Sequence, residues 1–424
     1  MSVWSQTLEE CQLAAERNYP LIRQYGLIEH TAELTLKNLQ KGWLPQVSAS
    51  AQATLQSDVA AWPSQMQTML AGMGIDVKGL KKDQYRVGID VQQTVFDGFA
   101  IRSQKAIARG QGEVEAAQNA VSLYQVRRRV NEMYFALLLL DEQICLNSEL
   151  QALLGGNEKK LASMVKGGTA AESDLQNVKA ERLNAVQQGI SLESQRRTLQ
   201  TMLATFCGLT ASPADDGSGC VKAVKPTIAS PSADGGGTMR PEMRLFDSQL
   251  RLADAQERAL DAALMPRLGL FAQGFYGYPG YNMFDDMMHH SWSWNGMIGA
   301  RLTWNIGALY TRKNDKAKIR LRRDMTETNR AVFLFDNNLE QIRQNEEADR
   351  YRRIMATDDE IISLRVAVRK AAESKLAHGI IDVNDLLREI NQENVARVQK
   401  SVHEIEMLKQ IYDLKFSRND GMTE

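Results

Sequence analysis

The sequence predicts an α+β membrane protein in which amphipathic strand pairs are joined to very long helical hairpins. Three observations carry this expectation. A composite pattern occurs twice within 424 residues. Four short segments alternate apolar and polar residues. Proline is absent from Ser64 to Ser212 and again from Gly280 onward, which leaves long stretches open to helix.

Each copy of the pattern has a proline-led alternating segment, a loop, a second alternating segment and a helical run broken by a glycine turn. The first copy reads WLPQVSASAQATLQ (Trp43–Gln56), YRVGIDVQQTVF (Tyr85–Phe96) and KGGTAAESDLQN (Lys166–Asn177). The second reads LMPRLGLFAQGFYG (Leu264–Gly277), MIGARLTWNI (Met297–Ile306) and AHGIIDVNDLLR (Ala377–Arg388). Pro45 and Gln52 match Pro266 and Gln273, and Gly88 matches Gly299. Gly168, Asp174 and Leu175 match Gly379, Asp385 and Leu386. Common order and similar spacing indicate a duplicated unit, an internal two-fold repeat. The expected organisation is a first repeat over 1–210, a linker over 211–238 and a second repeat over 239–424. Ala211–Thr238, with ASPADDGSG and SPSADGGG, has the small-residue composition of that linker.

The strands come first in each repeat. Val47, Ala49, Ala51, Ala53 and Leu55 alternate with Gln46, Ser48, Ser50, Gln52, Thr54 and Gln56. Val87, Ile89, Val91 and Val95 alternate with Arg86, Gly88, Asp90, Gln92 and Thr94. Ile298, Ala300, Leu302, Trp304 and Ile306 do the same with Gly299, Arg301, Thr303 and Asn305. Period two gives each strand one apolar and one polar face, at the length of a tilted transmembrane strand. Arg267–Gly277 is less regular, with Phe271 and Phe275 on its nominally polar side. The expected hairpins are 46–56 with 85–96 and 267–277 with 297–306. Tyr276, Tyr278, Tyr281, Phe284, Trp292 and Trp294 crowd the second hairpin, as an interfacial aromatic girdle would. Four half-buried strands of a soluble sheet would fit poorly with helices too long to cover them.

Four strands cannot close a barrel, and open edges do not persist in lipid. The chain must then oligomerise: two copies supply eight strands and three supply twelve. Gln and Thr on the polar faces favour the wider, wetter barrel.

The helices follow. Ala308–His378 contains neither proline nor glycine and would reach roughly 100 Å as one helix. Phe99–Leu154 would reach roughly 80 Å if Gly110 and Gly112 sit inside it. Val114, Ala117, Val121 and Tyr124, and likewise Leu364, Ala367, Val368 and Ala371, form narrow packing stripes. Such lengths imply a coiled-coil or tubular assembly.

Composition removes other classes. The formal charge is -1, with 51 basic and 52 acidic residues, which leaves no footprint for nucleic acid. Mean hydropathy is -0.36 and no apolar run approaches the length of a membrane-spanning helix. Gly235–Gly237 is not a phosphate loop, since no strand precedes it and no GKS/T follows. No HExxH or GxSxG occurs, so neither a catalytic residue, a metal nor a cofactor is expected. His289 and His290, beside Asp285 and Asp286, are either a loop metal site or a solvated loop, and the loop is the expectation. Cys207 and Cys220 bracket a short polar segment and are either isolated thiols or a disulfide.

The chain resembles the TolC-like outer-membrane efflux proteins, the outer membrane factor family, from about Leu8 to Lys415. LEECQLAAERNYPLI (Leu8–Ile22) is similar to the opening of the family's first helix, and GWLPQVSASAQ to its first strand. VFDGF (Val95–Phe99) resembles the strand-to-helix transition, and RPEMRLFDSQLRLADAQ (Arg240–Gln256) the start of the second half. GGTAAESDLQN and HGIIDVNDLL are similar to the two helix-turn tips. The resemblance implies a homotrimer whose twelve strands form an outer-membrane barrel continued by a long α-helical periplasmic barrel. It implies a passive exit duct of a tripartite efflux or type I secretion system. Its partners would be outer-membrane lipid, a periplasmic adaptor (membrane fusion protein) and an inner-membrane RND or ABC transporter, with a signal peptide already removed. The rival class is a soluble or peripheral coiled-coil scaffold without channel activity, which explains the helices and leaves the strand pairs unexplained.

By the same resemblance, the tips Gly167, Gly168, Thr169, Gly379 and Ile380 would meet the adaptor. The plainer alternative is that the glycines only supply left-handed turns. Asp174 and Asp385, each six residues past a tip glycine, either become rings of like charge in a trimer that suit a pore constriction or are solvated helix-start residues that favour the helix dipole. Arg388, one turn beyond Asp385, is expected to pair with Asp385 in its own chain or with Asp174 on a neighbouring helix. Two departures from the family pattern stand out. NIGALY (Asn305–Tyr310) lacks the phenylalanine-aspartate-glycine-glycine run, and Ile381 and Arg388 occupy places where the family often carries a base and an acid.

Overall fold

The computed structural model describes residues 5–75, 79–209, 222–223, 225 and 240–419. In chain order the elements are β1 (Ser5–Gln6), α1 (Leu8–Asn18), α2 (Ile22–Gln40), β2 (Gln46–Leu55), α3 (Ser64–Gly72), β3 (Asp83–Phe96), α4 (Ala100–Lys166), α5 (Glu172–Phe206), β4 (Lys222–Ala223), α6 (Pro241–Ala262), β5 (Arg267–Tyr278), α7 (Met283–His289), β6 (Ser293–Thr303), α8 (Ala308–Ala377) and α9 (Val383–Arg418). Most of the expected linker, and Cys220 with it, lies outside the described residues; its described residues Lys222–Ala223, β4, pair in parallel with β1. The backbone forms two compact units, one of Met1–Gly26, Ala116–Phe246 and Glu327–Glu424, the other of Leu27–Glu115 and Asp247–Thr326.

The unit of Leu27–Glu115 and Asp247–Thr326 holds the sheet and the helical segments around it. α4 starts where the strand-to-helix motif ends. Asp97 is buried, and its carboxylate accepts from the Phe99 N–H at 2.9 Å and the Ile101 N–H at 2.6 Å, satisfying donors that the first helical turn leaves open. Gly98 takes φ +66°, and a Cβ there would lie 2.8 Å from the Met265 Cβ, so conformation and space both demand glycine. α8 has no such acid at its start, where the Ala308 N–H donates to the Asn305 carbonyl at 3.3 Å. Gly110 and Gly112 do lie inside α4. A Cβ at Gly110 would come within 3.1 Å of Leu252 on α6, and one at Gly112 within 3.2 Å of Ala32 on α2. The small residues let neighbouring helices approach closely. Asp261 on α6 bonds Arg312 and Lys316 of α8, and these hydrogen bonds hold its carboxyl below the usual range.

In the other unit, α1 opens with a reciprocal cap. The Glu10 N–H donates to the Thr7 hydroxyl and the Thr7 N–H to the Glu10 carboxylate. Its buried residues Leu8, Cys11 and Ala15 join Val130, Tyr134, Phe135 and Leu137 of α4, Leu203 of α5 and Ile405, Leu408 and Tyr412 of α9 in the main core. Arg240, which opens the RPEMRLF motif, ties the start of α6 to this unit. It pairs with Glu242 at 2.5 Å, donates to Asn337 at 3.1 Å and lies over the rings of Tyr124, Phe333 and Phe416. Tyr124 and Phe416 stack at 4.3 Å, so a charge and three aromatic faces close one junction. Of the two predicted stripes, Tyr124 in the first is buried, whereas Leu364 and Val368 in the second are 59% and 45% exposed in the single chain.

Asp413 of α9 lines a cleft with Arg128 and Glu132 of α4, Glu340 and Arg343 of α8, and Lys409. Burial pushes its carboxyl up to about 6; Lys409 and Arg128 oppose the rise, and Glu132 and Glu340 add to it. An acid whose folded pKa exceeds its unfolded value costs nothing when protonated in both states. The cost grows as pH rises through that window and is full above about 6. Asp413→Asn is therefore expected to raise stability by about 1–3 kcal/mol at pH 7.5 and to change little at pH 4. Thermal unfolding at the two pH values checks this, and an equal effect at both would refute it.

Candidate functional site

The four long strands form one antiparallel sheet in the order β2-β3-β5-β6. Both expected hairpins are present, and β3 also pairs with β5, so the four strands make a continuous meander. β6 runs Ser293–Thr303 instead of 297–306. Pairing with β5 carries it back to Ser293 opposite Gly277, while Ile306 already turns toward α8 through a bond to the Trp304 carbonyl.

Register aligns the apolar residues into rows on one face. Val47, Val91, Ala272 and Ile298 stand abreast, and beyond them Ala49, Ile89, Gly274 and Gly296, then Ala51, Val87, Tyr276 and Trp294. This face is open in the chain: Ile298 is 83% and Trp294 82% exposed. An apolar sheet face of this extent marks a membrane or interaction surface. Tyr85, Tyr276, Trp292 and Trp294 cluster at one end of the strands. Exposed Trp43, Phe96, Phe99 and Trp304 lie at the other. Of the remaining aromatics of the predicted girdle, Tyr281 and Phe284 stay exposed and Tyr278 is buried. Tyr278 is buried with Leu80 and Met287, Phe284 packs on Trp62, and Tyr281 packs on Phe275.

The opposite face is polar, with Gln46, Ser48, Gln52, Asp90, Gln92, Gln273 and Arg301 among its residues. Gln273 donates to Asp90 at 2.5 Å. Phe275 and Phe271 break the alternation because glycine stands opposite each. A Cβ at Gly88 would lie 2.8 Å from the Phe275 Cβ, and one at Gly299 2.7 Å from the Phe271 ring. Arg86 lies 3.8 Å over the Phe275 ring and Arg301 5.0 Å over that of Phe271. The two glycines matched between the repeats thus make room for aromatics capped by cations. Alternation in one strand at a time did not reveal Arg86 and Arg301; the signal was phenylalanine on the wrong face beside an unexplained glycine.

The two helix reversals share one hydrogen-bond arrangement. Gly168 takes φ +73° and Gly379 φ +68°. The Thr169 N–H donates to the Met164 carbonyl at 2.9 Å, and the Ile380 N–H to that of Lys375 at 2.9 Å. Each closes the helix end with a left-handed residue. Gly167, Gly168, Thr169, Gly379 and Ile380 are all exposed. Behind them Leu161 of α4, Val178 of α5 and Val383 of α9 pack into one cluster with Leu175, Leu376 and Leu387.

Asp174 and Asp385 lie half-buried in the first turns of α5 and α9. Asp382 caps α9, accepting from the Asp385 N–H at 2.8 Å, whereas Ala171, which precedes α5, offers no side-chain cap. Arg388 pairs with Asp385 of its own chain at 2.9 Å, the first of the two expected arrangements, and reaches Glu389 at 3.7 Å. Asn177 donates to Asn384 at 3.4 Å and Asn391 to Glu181 at 3.2 Å, which ties α5 to α9. Ile381 packs against the apolar cluster that contains Leu154 and Leu386.

His289 and His290 do not converge. His289 Nδ1 lies 2.9 Å from Asp285, while His290 Nε2 lies 2.6 Å from the Gly79 carbonyl. Asp286 is buried and accepts from the Gly280 N–H at 2.6 Å. These contacts order the loop around α7.

No protein-family model and no curated protein matches the chain. Solved structures do. The CmeC outer membrane channel of Campylobacter jejuni is 14% identical, with a TM-score of 0.68 over 98% of this chain and 86% of its own. The outer membrane protein VceC from Vibrio cholerae is 11% identical, with a TM-score of 0.66 over 97% of this chain and 94% of its own. The Neisseria gonorrhoeae MtrE outer membrane channel, in its open state, is 15% identical, with a TM-score of 0.65 over 98% of this chain and 89% of its own. The chain has the fold that these outer-membrane proteins share.

Proposed function

We propose that this chain is a TolC-like outer-membrane protein, a passive exit duct of a tripartite efflux or type I secretion system. The observation that carries this reading is the sheet, with one mainly apolar face, one polar face and an outer edge on β2 and on β6. The fold shared with CmeC, VceC and MtrE supports it. In a four-stranded meander β2 and β6 run antiparallel, so β6 of one copy suits β2 of the next. Three copies close twelve strands around a wet lumen, with the apolar face toward lipid. The helices favour the same assembly. Val332, Phe335, Leu339 and Ile342 on α8 are 52%, 63%, 49% and 52% exposed at coiled-coil spacing, an interface awaiting a second copy. A coiled-coil scaffold without a channel would leave the apolar sheet face unused.

Within this reading the chain retains the two-fold repeat over 1–210 and 239–424. The strands sit in the outer membrane and the long helices extend into the periplasm. The exposed tips at Gly167, Gly168, Thr169, Gly379 and Ile380 meet a periplasmic adaptor, itself joined to an inner-membrane RND or ABC transporter. Asp174 and Asp385 form threefold carboxylate sets at the constriction, where they attract cations and disfavour anions. Arg388, bonded to Asp385, lowers that field and helps hold the constriction narrow.

Single-channel recording in planar bilayers tests the proposal. The trimer is expected to conduct with cation preference, Asp385→Asn to weaken that preference and Arg388→Ala to raise conductance. A protein that remains a folded monomer in mild detergent, or forms no conductance, would sink it.

A further inference from the structure

Two thiols are held together in the helical core. Cys11 lies within α1, and Cys207 immediately follows α5 as its C-cap. Cys11 is fully buried and Cys207 is 8% exposed, both in the cluster that contains Leu8, Val130 and Leu203. The Cys207 thiol donates to the Cys11 carbonyl oxygen at 3.7 Å, and the neighbouring thiols shift each other in opposite directions, Cys11 up and Cys207 down. Contacts on either side fix the approach. The Tyr19 ring stacks on Phe206 at 5.9 Å with 5° between planes. Gly208 takes φ +73°, and a Cβ there would lie 2.3 Å from the Asn18 amide nitrogen. The end of α5 therefore has one seat against α1, and that seat places the Cys207 thiol against Cys11.

We propose that Cys11 and Cys207 form a disulfide that joins α1 to the end of α5 when the chain folds in an oxidising compartment. The supply of oxidant rests on the export reading; the pairing rests on the geometry. The oxidant is a protein or glutathione disulfide, met before α1 has fully docked, since the folded pair is buried. The Cys207 thiolate attacks one sulfur of that disulfide, forming a mixed disulfide and releasing one thiolate. The Cys11 thiol then loses its proton and attacks the Cys207 sulfur, forming the internal bond and releasing the second thiolate. Two cysteine thiols are oxidised and one disulfide is reduced to two thiols. The cysteines are 196 residues apart, so the bond restricts a very long loop in the unfolded chain.

The test uses the full chain, alkylated at harvest and digested without reductant. In protein from the membrane fraction, mass spectrometry is expected to find a peptide joining Cys11 to Cys207. Reduction is expected to lower the apparent Tm by about 5 °C or more, and Cys11→Ser to remove both the joined peptide and that sensitivity. All four cysteines alkylated in exported protein, or Cys207 joined to Cys220, would overturn the pairing. If the chain is instead not exported, the purified protein is unfolded and refolded with oxidised glutathione. Formation of the Cys11–Cys207 bond then upholds the pairing while the export reading fails, and failure to form it overturns the pairing itself.

Discussion

Ile298→Arg is expected to abolish recovery of a detergent-stable oligomer from the membrane fraction, whereas Gln92→Arg is expected to leave it intact. The two positions lie on opposite faces of one sheet. Ile298 sits midway along β6, abreast of Ala272, Val91 and Val47, and is 83% exposed on the apolar face. An arginine at the midplane of a lipid-facing strand costs about 2–4 kcal/mol per copy. In the proposed assembly that cost recurs in every subunit. Gln92 stands on the polar face between Gln46 and Phe271, where a cation keeps its water and resembles the Arg301 already over that ring. Membrane fractionation and unheated gel electrophoresis distinguish the pair. Equal tolerance of both arginines would remove the membrane assignment of the apolar face.

Phe135→Ala is expected to destabilise the helical unit by about 3–5 kcal/mol through lost burial and a cavity that rigid neighbours cannot fill. Phe135 is 1% exposed and packs against Tyr134 at 6.2 Å and Tyr412 at 5.6 Å. The surrounding core draws on α1, α4, α5 and α9 together, so its collapse would require four helices to move. A fall in apparent Tm of roughly 10 °C is the expected readout. Phe135→Leu retains much of the volume and is expected to lose far less. A negligible effect of the alanine variant would mean that this core does not limit unfolding.

Much of the site is legible in the sequence. Alternation in 46–56 and 85–96 located β2 and β3 closely, because period two is a property of consecutive residues and needs no partner strand. The absence of proline marked α4 and α8, and glycine followed six residues later by aspartate marked both reversals. The end of β6 was harder to read: its apolar run continues through Trp304 and Ile306, but its length is set by what β5 offers for pairing.

By itself, the sequence determined which segments are strands with two unlike faces, which are uninterrupted helices, and where those helices turn back. Those properties depend on local periodicity, proline's missing donor and glycine's access to positive φ. Only the tertiary structure decided the partners. It set Phe271 and Phe275 opposite Gly299 and Gly88, gave Arg388 to Asp385, seated Arg240 on three rings, and brought Cys11 to Cys207 across 196 residues. A residue's spacing along the chain states which way it faces. What it meets there depends on strand register and helix packing, which arise when distant segments fold against one another.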